Sequence, residues 1–218
     1  MTKRAFIFDL NGTIIDDMGF HAIAWGNIIN NELNGGLTHE QVKAQMYGKN
    51  EEVLVRIFGA DRFTLEEMAA ISYRKELAYQ AAYKPLMNSI AGFTDYANQA
   101  KAQNIEMAIG SAAIMFNINF ILEGLSLGHY FKSIVSADDV AISKPHPETF
   151  LKAALELGVL PENCIVFEDA PKGVEAAANA GMKAVALTTT HTKEEFEGLD
   201  NILFFIDDYL DEKLQSLL

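Results

Sequence analysis

The chain has 218 residues, half of them hydrophobic and 22% charged, which is enough for one large domain or a domain with an insertion. Its formal net charge of -13 argues against nonspecific binding to nucleic acid or to an anionic membrane, because both need a basic protein surface. Cys164 is the only cysteine, so no intrachain disulfide can form.

The beginning of the chain bears on its cellular location. The first apolar run, at residues 5–8, is too short for the core of a signal peptide. No stretch approaches the roughly 20 apolar residues of a membrane helix. We therefore expect a cytoplasmic protein, with a monomer as the default oligomeric state.

The same apolar run, residues 5–8, predicts a buried parallel strand because it ends at turn residues. Asp9 follows directly, and Asn11-Gly12 is a turn signal. Ligands of open α/β sheets bind just outside the carboxyl ends of the strands, so Asp9 is a candidate for chemistry. The alternative is that Asp9 merely caps the turn.

Helical patterns occupy the next 70 or so residues. Thr38 and Thr64 are predicted N-caps, because Gln41 and Glu67 follow at the capping-box spacing. We therefore predict an inserted helical domain at residues 16–87, within a core domain made of residues 1–15 and 88–218.

Strands and helices alternate in the rest of the chain. Strands are predicted at residues 105–110, 131–135, 164–167, 183–187 and 203–206, and helices at residues 92–103, 114–125, 147–157, 172–180 and 209–218. This alternation predicts an α/β fold, a Rossmann-like, doubly wound parallel sheet with helices on both faces.

Polar residues follow several of these predicted strands. Ser111, Glu168 and Asp169 lie at strand ends, and Lys144 lies in the loop beyond another strand. A parallel sheet would bring them to one edge together with Asp9. Carboxylates suit Mg²⁺, while a hydroxyl and a lysine suit a phosphate group. The set therefore indicates phosphoryl transfer.

These residues resemble the motifs of the haloacid dehalogenase superfamily, in the right order and across essentially the whole chain. Residues 9–13 resemble the first motif, Asp-x-Asp-Gly-Thr; Ser111 resembles the second, Lys144 before Pro145 the third, and Glu168-Asp169 the fourth. Residues 16–87 resemble the helical cap of this family. The resemblance is greatest to its β-phosphoglucomutase and sugar-phosphate phosphatase branch.

The resemblance implies a role for each matching residue. Asp9 would be the nucleophile, and the Mg²⁺ ligands would come from Asp9, the Asn11 backbone carbonyl, Glu168 and Asp169. Gly12, Ser111 and Lys144 would bind the phosphate of a small phosphorylated metabolite, such as a sugar phosphate.

Two residues of the predicted cap domain also match that branch. His21 and Lys75 resemble residues that face the substrate. The alternatives are a packed or capping histidine and a solvated surface lysine.

Two departures from the family pattern limit the expected activity. Asn11 stands where family phosphatases and mutases carry the aspartate that acts as general acid and base, and an amide cannot do that work. Glu51 stands where the mutases carry an arginine that holds a distal phosphate. We therefore expect a hydrolase with weak turnover. The alternatives are a phosphate-binding or regulatory protein, an engineered inactive variant or, less favoured, a dehalogenase.

Overall fold

A computed structural model describes residues 3–218 of the chain, which divide into two compact units. The core unit comprises Asn88–Leu218 together with the described residues up to Asp16. The helical unit comprises Asp17–Met87. Within residues 3–218, no helix combines the length and the apolar character needed to cross a membrane.

The core unit is organised around a sheet of six strands, all parallel to their neighbours. The strands are β1 (Ala5–Phe8), β2 (Glu106–Gly110), β3 (Ser133–Val135), β4 (Cys164–Glu168), β5 (Lys183–Leu187) and β6 (Ile202–Ile206). Their order is β3-β2-β1-β4-β5-β6, so the chain builds outwards from β1 to one side and then to the other. The predicted doubly wound α/β fold is confirmed, and each predicted strand is found within two residues of its expected bounds.

Helices follow the strands and fill the insertion. The α-helices of the described residues are α1 (Met18–Gly26), α2 (His39–Gln45), α3 (Asn50–Phe58), α4 (Leu65–Tyr83), α5 (Phe93–Ala102), α6 (Met115–Gly124), α7 (Glu148–Leu157) and α8 (Pro171–Asn179). The capping boxes predicted at Thr38 and Thr64 are both formed. Each threonine hydroxyl accepts a hydrogen bond from the N–H three residues on, and the side chain there accepts one from the threonine N–H.

The two faces of β1 pack against different parts of the core. Phe6 and Phe8 contact Phe167 of β4, with ring centroids 5.3 Å and 4.6 Å apart. Ile7 belongs to a second cluster with Val166 and Phe150. Because neighbouring side chains of a strand point to opposite faces, a slip of one residue would exchange these two sets. Packing on both faces therefore fixes where β1 ends.

The helical unit has a hydrophobic core of its own. Trp25, Ile29, Leu54 and Ile71 are buried together, so α1, α3 and α4 contribute to one cluster. The segment after α1, Asn27–Glu32, is a π-helix.

The end of the chain differs from its prediction. An α-helix was expected at residues 209–218, but the structure has a 3₁₀ helix at Glu212–Leu217. Tyr209 is buried against Phe93 and Phe167, and its hydroxyl donates to the carbonyl oxygen of Thr13. These contacts hold Tyr209 in the core, and the helical turn begins only after Asp211, whose side chain accepts from the Lys213 N–H. The helix predicted from residue 147 begins one residue later, because Pro147 is the N-cap of α7.

The chain leaves and re-enters the core unit at neighbouring points. Ile15 forms an antiparallel bridge with Ser89, and the N–H of Ile90 donates to the carbonyl oxygen of Ile14 over 2.9 Å. The two ends of the insertion are therefore joined by backbone pairing within the core unit.

Candidate active site

Strand pairing continues into the residues that follow the central strands. The N–H of Asp9, just after β1, donates to the Phe167 carbonyl of β4 over 2.9 Å. The N–H of Ser111, just after β2, donates to the Val135 carbonyl of β3, also over 2.9 Å. Glu168 ends β4 and Asp169 follows it. The carboxyl edge of the sheet thus brings these predicted site residues together in the core unit.

Lys144 connects two of the acids. Its Nζ lies 2.8 Å from Asp9 Oδ1 and 2.7 Å from Glu168 Oε1. Burial alone would lower the pKa of Lys144, but the two carboxylates outweigh it and hold that pKa above its usual range. The second Glu168 oxygen accepts from the N–H of Ala170 over 2.7 Å. Both oxygens of Glu168 are therefore already bonded, which favours a role in holding Lys144.

The site carries more negative than positive charge. Burial, opposed by Lys144 and reinforced by Glu168, raises the pKa of the Asp9 carboxyl to about 6. Ser111 donates a hydrogen bond to Asp9, which acts in the opposite direction. Burial, followed by the charges of Glu168 and Asp9, raises the pKa of Asp169 well above its usual range. A bound cation would reverse these effects, because it favours the ionised form of each carboxylate.

The donor set fits Mg²⁺ if it includes backbone oxygen or water. The described residues contain no group of three or more His, Cys, Asp or Glu side chains arranged to hold a metal ion. Mg²⁺ is commonly bound by one or two carboxylates and keeps several waters. Asp9 and Asp169, with a backbone carbonyl such as that of Asn11, meet that requirement.

Two glycines let the carboxylates lie close to the backbone. Gly12 has φ +76°, and a Cβ there would lie 2.2 Å from Asp169 Oδ2. A Cβ at Gly173, on α8, would lie 1.8 Å from Glu168 Oε1. The Gly12 N–H donates to the Ile15 carbonyl over 2.7 Å, which favours a spacing role for Gly12 over direct donation to a phosphate.

The contact at Gly173 makes an unusual stability effect testable. Gly→Ala inside a helix normally stabilises it by up to about 1 kcal/mol. Gly173→Ala is instead expected to destabilise the protein by about 1–3 kcal/mol, because the new methyl group overlaps the Glu168 carboxylate. Gly26→Ala is the control, since nothing lies within 4 Å of the Cβ position there. Urea unfolding of both variants checks this, and equal stabilisation of the two would contradict it.

Threonine hydroxyls donate hydrogen bonds to both carboxylate oxygens of Asp169. Thr13 Oγ1 donates to Asp169 Oδ1 over 3.0 Å, and Thr190 donates to Asp169 Oδ2. Thr189 donates to the Gly12 carbonyl oxygen. Sequence reasoning missed Thr189 and Thr190, although a signal was present. Four of the five residues at 188–192, directly after β5, are threonine, and they follow a strand at the same sheet edge as the other candidates.

His21 and Lys75 lie in the helical unit, where they form a cluster of their own. Lys75 Nζ is 2.6 Å from His21 Nδ1 and 3.0 Å from both Glu76 carboxylate oxygens. Lys75 is only 2% exposed, so the alternative of a solvated surface lysine is wrong. An ammonium group can only donate, so His21 Nδ1 accepts and its Nε2 carries the proton towards Asp17 Oδ2, 3.3 Å away. Tyr79 donates to the same Asp17 oxygen.

Comparison with known proteins places the chain in a family. A family model described as haloacid dehalogenase-like hydrolase matches residues 6–187, which include strands β2–β5, all of β1 except Ala5, and all four motifs. The chain belongs to the haloacid dehalogenase-like hydrolases. The resemblance drawn from the motifs is confirmed, and so is the prediction that the protein is an enzyme of the hydrolase class.

Relatives of this hydrolase include sugar-phosphate enzymes. It is 32% identical to fructose-1-phosphate phosphatase YqaB of Escherichia coli over 186 residues, which cover 82% of this chain and 93% of the relative. It is 32% identical to β-phosphoglucomutase of Bacillus subtilis over 194 residues, 84% of this chain and 83% of the relative. The crystal structure of β-phosphoglucomutase from Clostridium difficile superposes with a TM-score of 0.85 at 26% identity, covering 99% of this chain and 96% of that one.

Proposed function

We propose that this hydrolase cleaves small phosphate monoesters, in particular sugar phosphates, through a phosphoryl group carried on Asp9 with Mg²⁺ bound. The observation that carries the proposal is the set of contacts around Asp9. Its buried carboxylate is held by Lys144 at 2.8 Å and by the Ser111 hydroxyl, beside a second buried acid, Asp169. A buried carboxylate with a cationic neighbour and a hydroxyl donor suits attack on an anionic phosphorus centre.

Each residue has a definite part in this proposal. An Asp9 oxygen attacks phosphorus and forms a new P–O bond, while the bond from phosphorus to the ester oxygen breaks. Lys144 and Ser111 stabilise the charge on the phosphoryl oxygens. Asp9, the Asn11 carbonyl and Asp169 would hold Mg²⁺, which supplies Lewis-acid stabilisation of the same charge. Glu168 keeps Lys144 in position.

The second half of the reaction releases the phosphate. A water attacks phosphorus, its proton leaves, and Asp9 is freed as a carboxylate. This step and the departure of the ester oxygen both need a proton transfer, and the Asn11 amide cannot supply one. Slow turnover with retained phosphate binding is the expected result.

The choice of substrate class draws on the relatives and on one residue of the helical unit. One relative is named for fructose 1-phosphate, and we propose the same class of substrate here. Glu51 lies in the first turn of α3, where the mutases of this branch carry an arginine. A carboxylate there would repel a second phosphate, so we favour hydrolysis over phosphate transfer between sugar positions.

Asn11 favours a second candidate function. Without an acid–base group, the same site would bind phosphorylated ligands and turn them over hardly at all. The chain would then serve as a binding or regulatory protein.

The test is a screen of phosphate esters with and without Mg²⁺, on the unsubstituted chain and on Asp9→Asn. We expect Mg²⁺-dependent phosphate release that falls to background in Asp9→Asn, because an amide is not a nucleophile. β-Glucose 1-phosphate should yield free phosphate rather than glucose 6-phosphate. Turnover that survives in Asp9→Asn would refute the mechanism, and tight binding without turnover would support the second candidate.

A further inference from the structure

We propose that Thr190 and His191 are positioning residues that hold the Asp169 carboxylate in place for a divalent cation. This rests on the proposed function and extends it to a loop outside the four motifs. The loop follows β5, and Thr190 and His191 are half-buried within it. The contacts that carry the proposal centre on Asp169.

Both oxygens of Asp169 have a hydroxyl donor. Thr13, just after β1, donates to Oδ1 over 3.0 Å, and Thr190 donates to Oδ2. A carboxylate oxygen has two lone-pair sites, so each oxygen keeps one for a metal ion. One donor, Thr13, precedes Asp169 in the sequence, and the other, Thr190, follows it. Because each donor holds a different oxygen, together they fix the rotation of the carboxylate plane.

His191 contacts the Thr190 hydroxyl and the backbone of Asp169. Its Nδ1 lies 2.9 Å from Thr190 Oγ1 and 3.1 Å from the backbone carbonyl oxygen of Asp169. A carbonyl oxygen only accepts, so Nδ1 carries the proton. That one proton is shared between the Asp169 carbonyl oxygen and the Thr190 hydroxyl, and Thr190 uses its own proton for Asp169 Oδ2. The hydrogen bonds thus run from His191 through Thr190 to Asp169.

The need for this support comes from the other contacts of the site. Asp169 is 4% exposed and lies beside Asp9 and Glu168. Lys144 Nζ pairs with Asp9 and Glu168. The hydroxyls of Thr13 and Thr190 are therefore the donors that orient the Asp169 carboxylate before a cation arrives. Mutation of a residue that hydrogen-bonds a metal ligand typically lowers metal affinity or activity by about 10–100-fold.

The same loop also forms a hydrogen bond with the backbone that follows β1. Thr189 donates to the Gly12 carbonyl oxygen, and Gly12 is the residue whose Cα faces Asp169 Oδ2. The loop thus joins the two segments that would supply the metal ligands.

The test compares Thr190→Val, which removes the hydroxyl at nearly equal volume, with Thr190→Ser, which keeps it. Mg²⁺ affinity is measured by titration calorimetry without substrate, and kcat and KM are measured separately. We expect Thr190→Val to weaken Mg²⁺ binding by about tenfold or more, and Thr190→Ser to restore most of it. His191→Phe should weaken Mg²⁺ binding by a smaller factor, because it acts through Thr190.

Thr188→Val is the matched control. Its hydroxyl belongs to the same run but bonds the Ile206 carbonyl and Asp207, not Asp169, so Mg²⁺ affinity should not change. If Thr190→Val and the unsubstituted chain bind Mg²⁺ equally, or if Thr190→Ser is as weak as Thr190→Val, the inference is overturned while the proposed function stands. If the unsubstituted chain binds no Mg²⁺, both fail.

Discussion

Asn11→Asp is expected to raise the turnover of sugar phosphates by about 10²–10⁴-fold, because it restores a general acid and base. A rise of less than about tenfold would fall short of this expectation. In the first step the new carboxyl group protonates the departing ester oxygen. In the second it takes the proton of the attacking water. This corresponds to roughly 3–5 kcal/mol of barrier, the largest gain in activity we expect from one substitution.

Two comparisons make this result specific. In the first step, the phosphorylation of Asp9, aryl and acyl phosphates should gain much less from Asn11→Asp than sugar phosphates do, because their leaving groups need no proton. Mg²⁺ affinity should change little, because the proposed ligand is the backbone carbonyl. Single-turnover kinetics on both substrate types, which separate the first step from phosphate release, and calorimetry with Mg²⁺ give these values. Similar sugar-phosphate rates for the two proteins would contradict the prediction and would require a proton donor other than residue 11.

Lys75→Met is expected to destabilise the helical unit by about 3–5 kcal/mol, because it leaves the Glu76 carboxylate buried without its cation. Lys75 and Glu76 are each 2% exposed. The chain has a single tryptophan, Trp25, whose ring centre lies 5.3 Å from Lys75 Nζ. Its fluorescence during urea unfolding therefore reports on this unit directly.

The control for Lys75 is the preceding residue. Arg74 pairs with Glu32 at 2.9 Å, but about half of each side chain is exposed. Exposed ion pairs contribute about 0–1 kcal/mol, so Arg74→Met should have little effect. Adding Glu76→Gln to Lys75→Met should recover part of the loss. Equal losses for Arg74→Met and Lys75→Met would show that burial of the pair does not matter.

The sequence predicts those parts of the fold that short-range patterns determine. β1 and β4 are apolar runs bounded by polar residues, and this is why Asp9 and Glu168 could be placed at the sheet edge. Capping at Thr38 and Thr64 depends on residues three positions apart and is equally local.

Long-range packing explains what the sequence does not predict. Arg74, Lys75 and Glu76 are three consecutive charged residues, and only the packing of α4 against α1 and α3 decides that the last two are buried. The sequence around Tyr209 has a helical pattern. Tyr209 instead packs in the aromatic core and donates to the Thr13 carbonyl oxygen, and it lies outside any helix. Thr190 acquires its role through contact with Asp169, 21 residues away in the chain.

The pairing of Ile15 with Ser89 has a consequence for the entropy of the folded chain. A segment whose ends are already held together costs folding entropy that grows only with the logarithm of its length. Doubling its length would add only about 0.6 kcal/mol. The helical unit between these two residues can therefore be lengthened, shortened or exchanged for another compact unit at little thermodynamic cost to the sheet. Accessory segments of very different size are compatible with one and the same core.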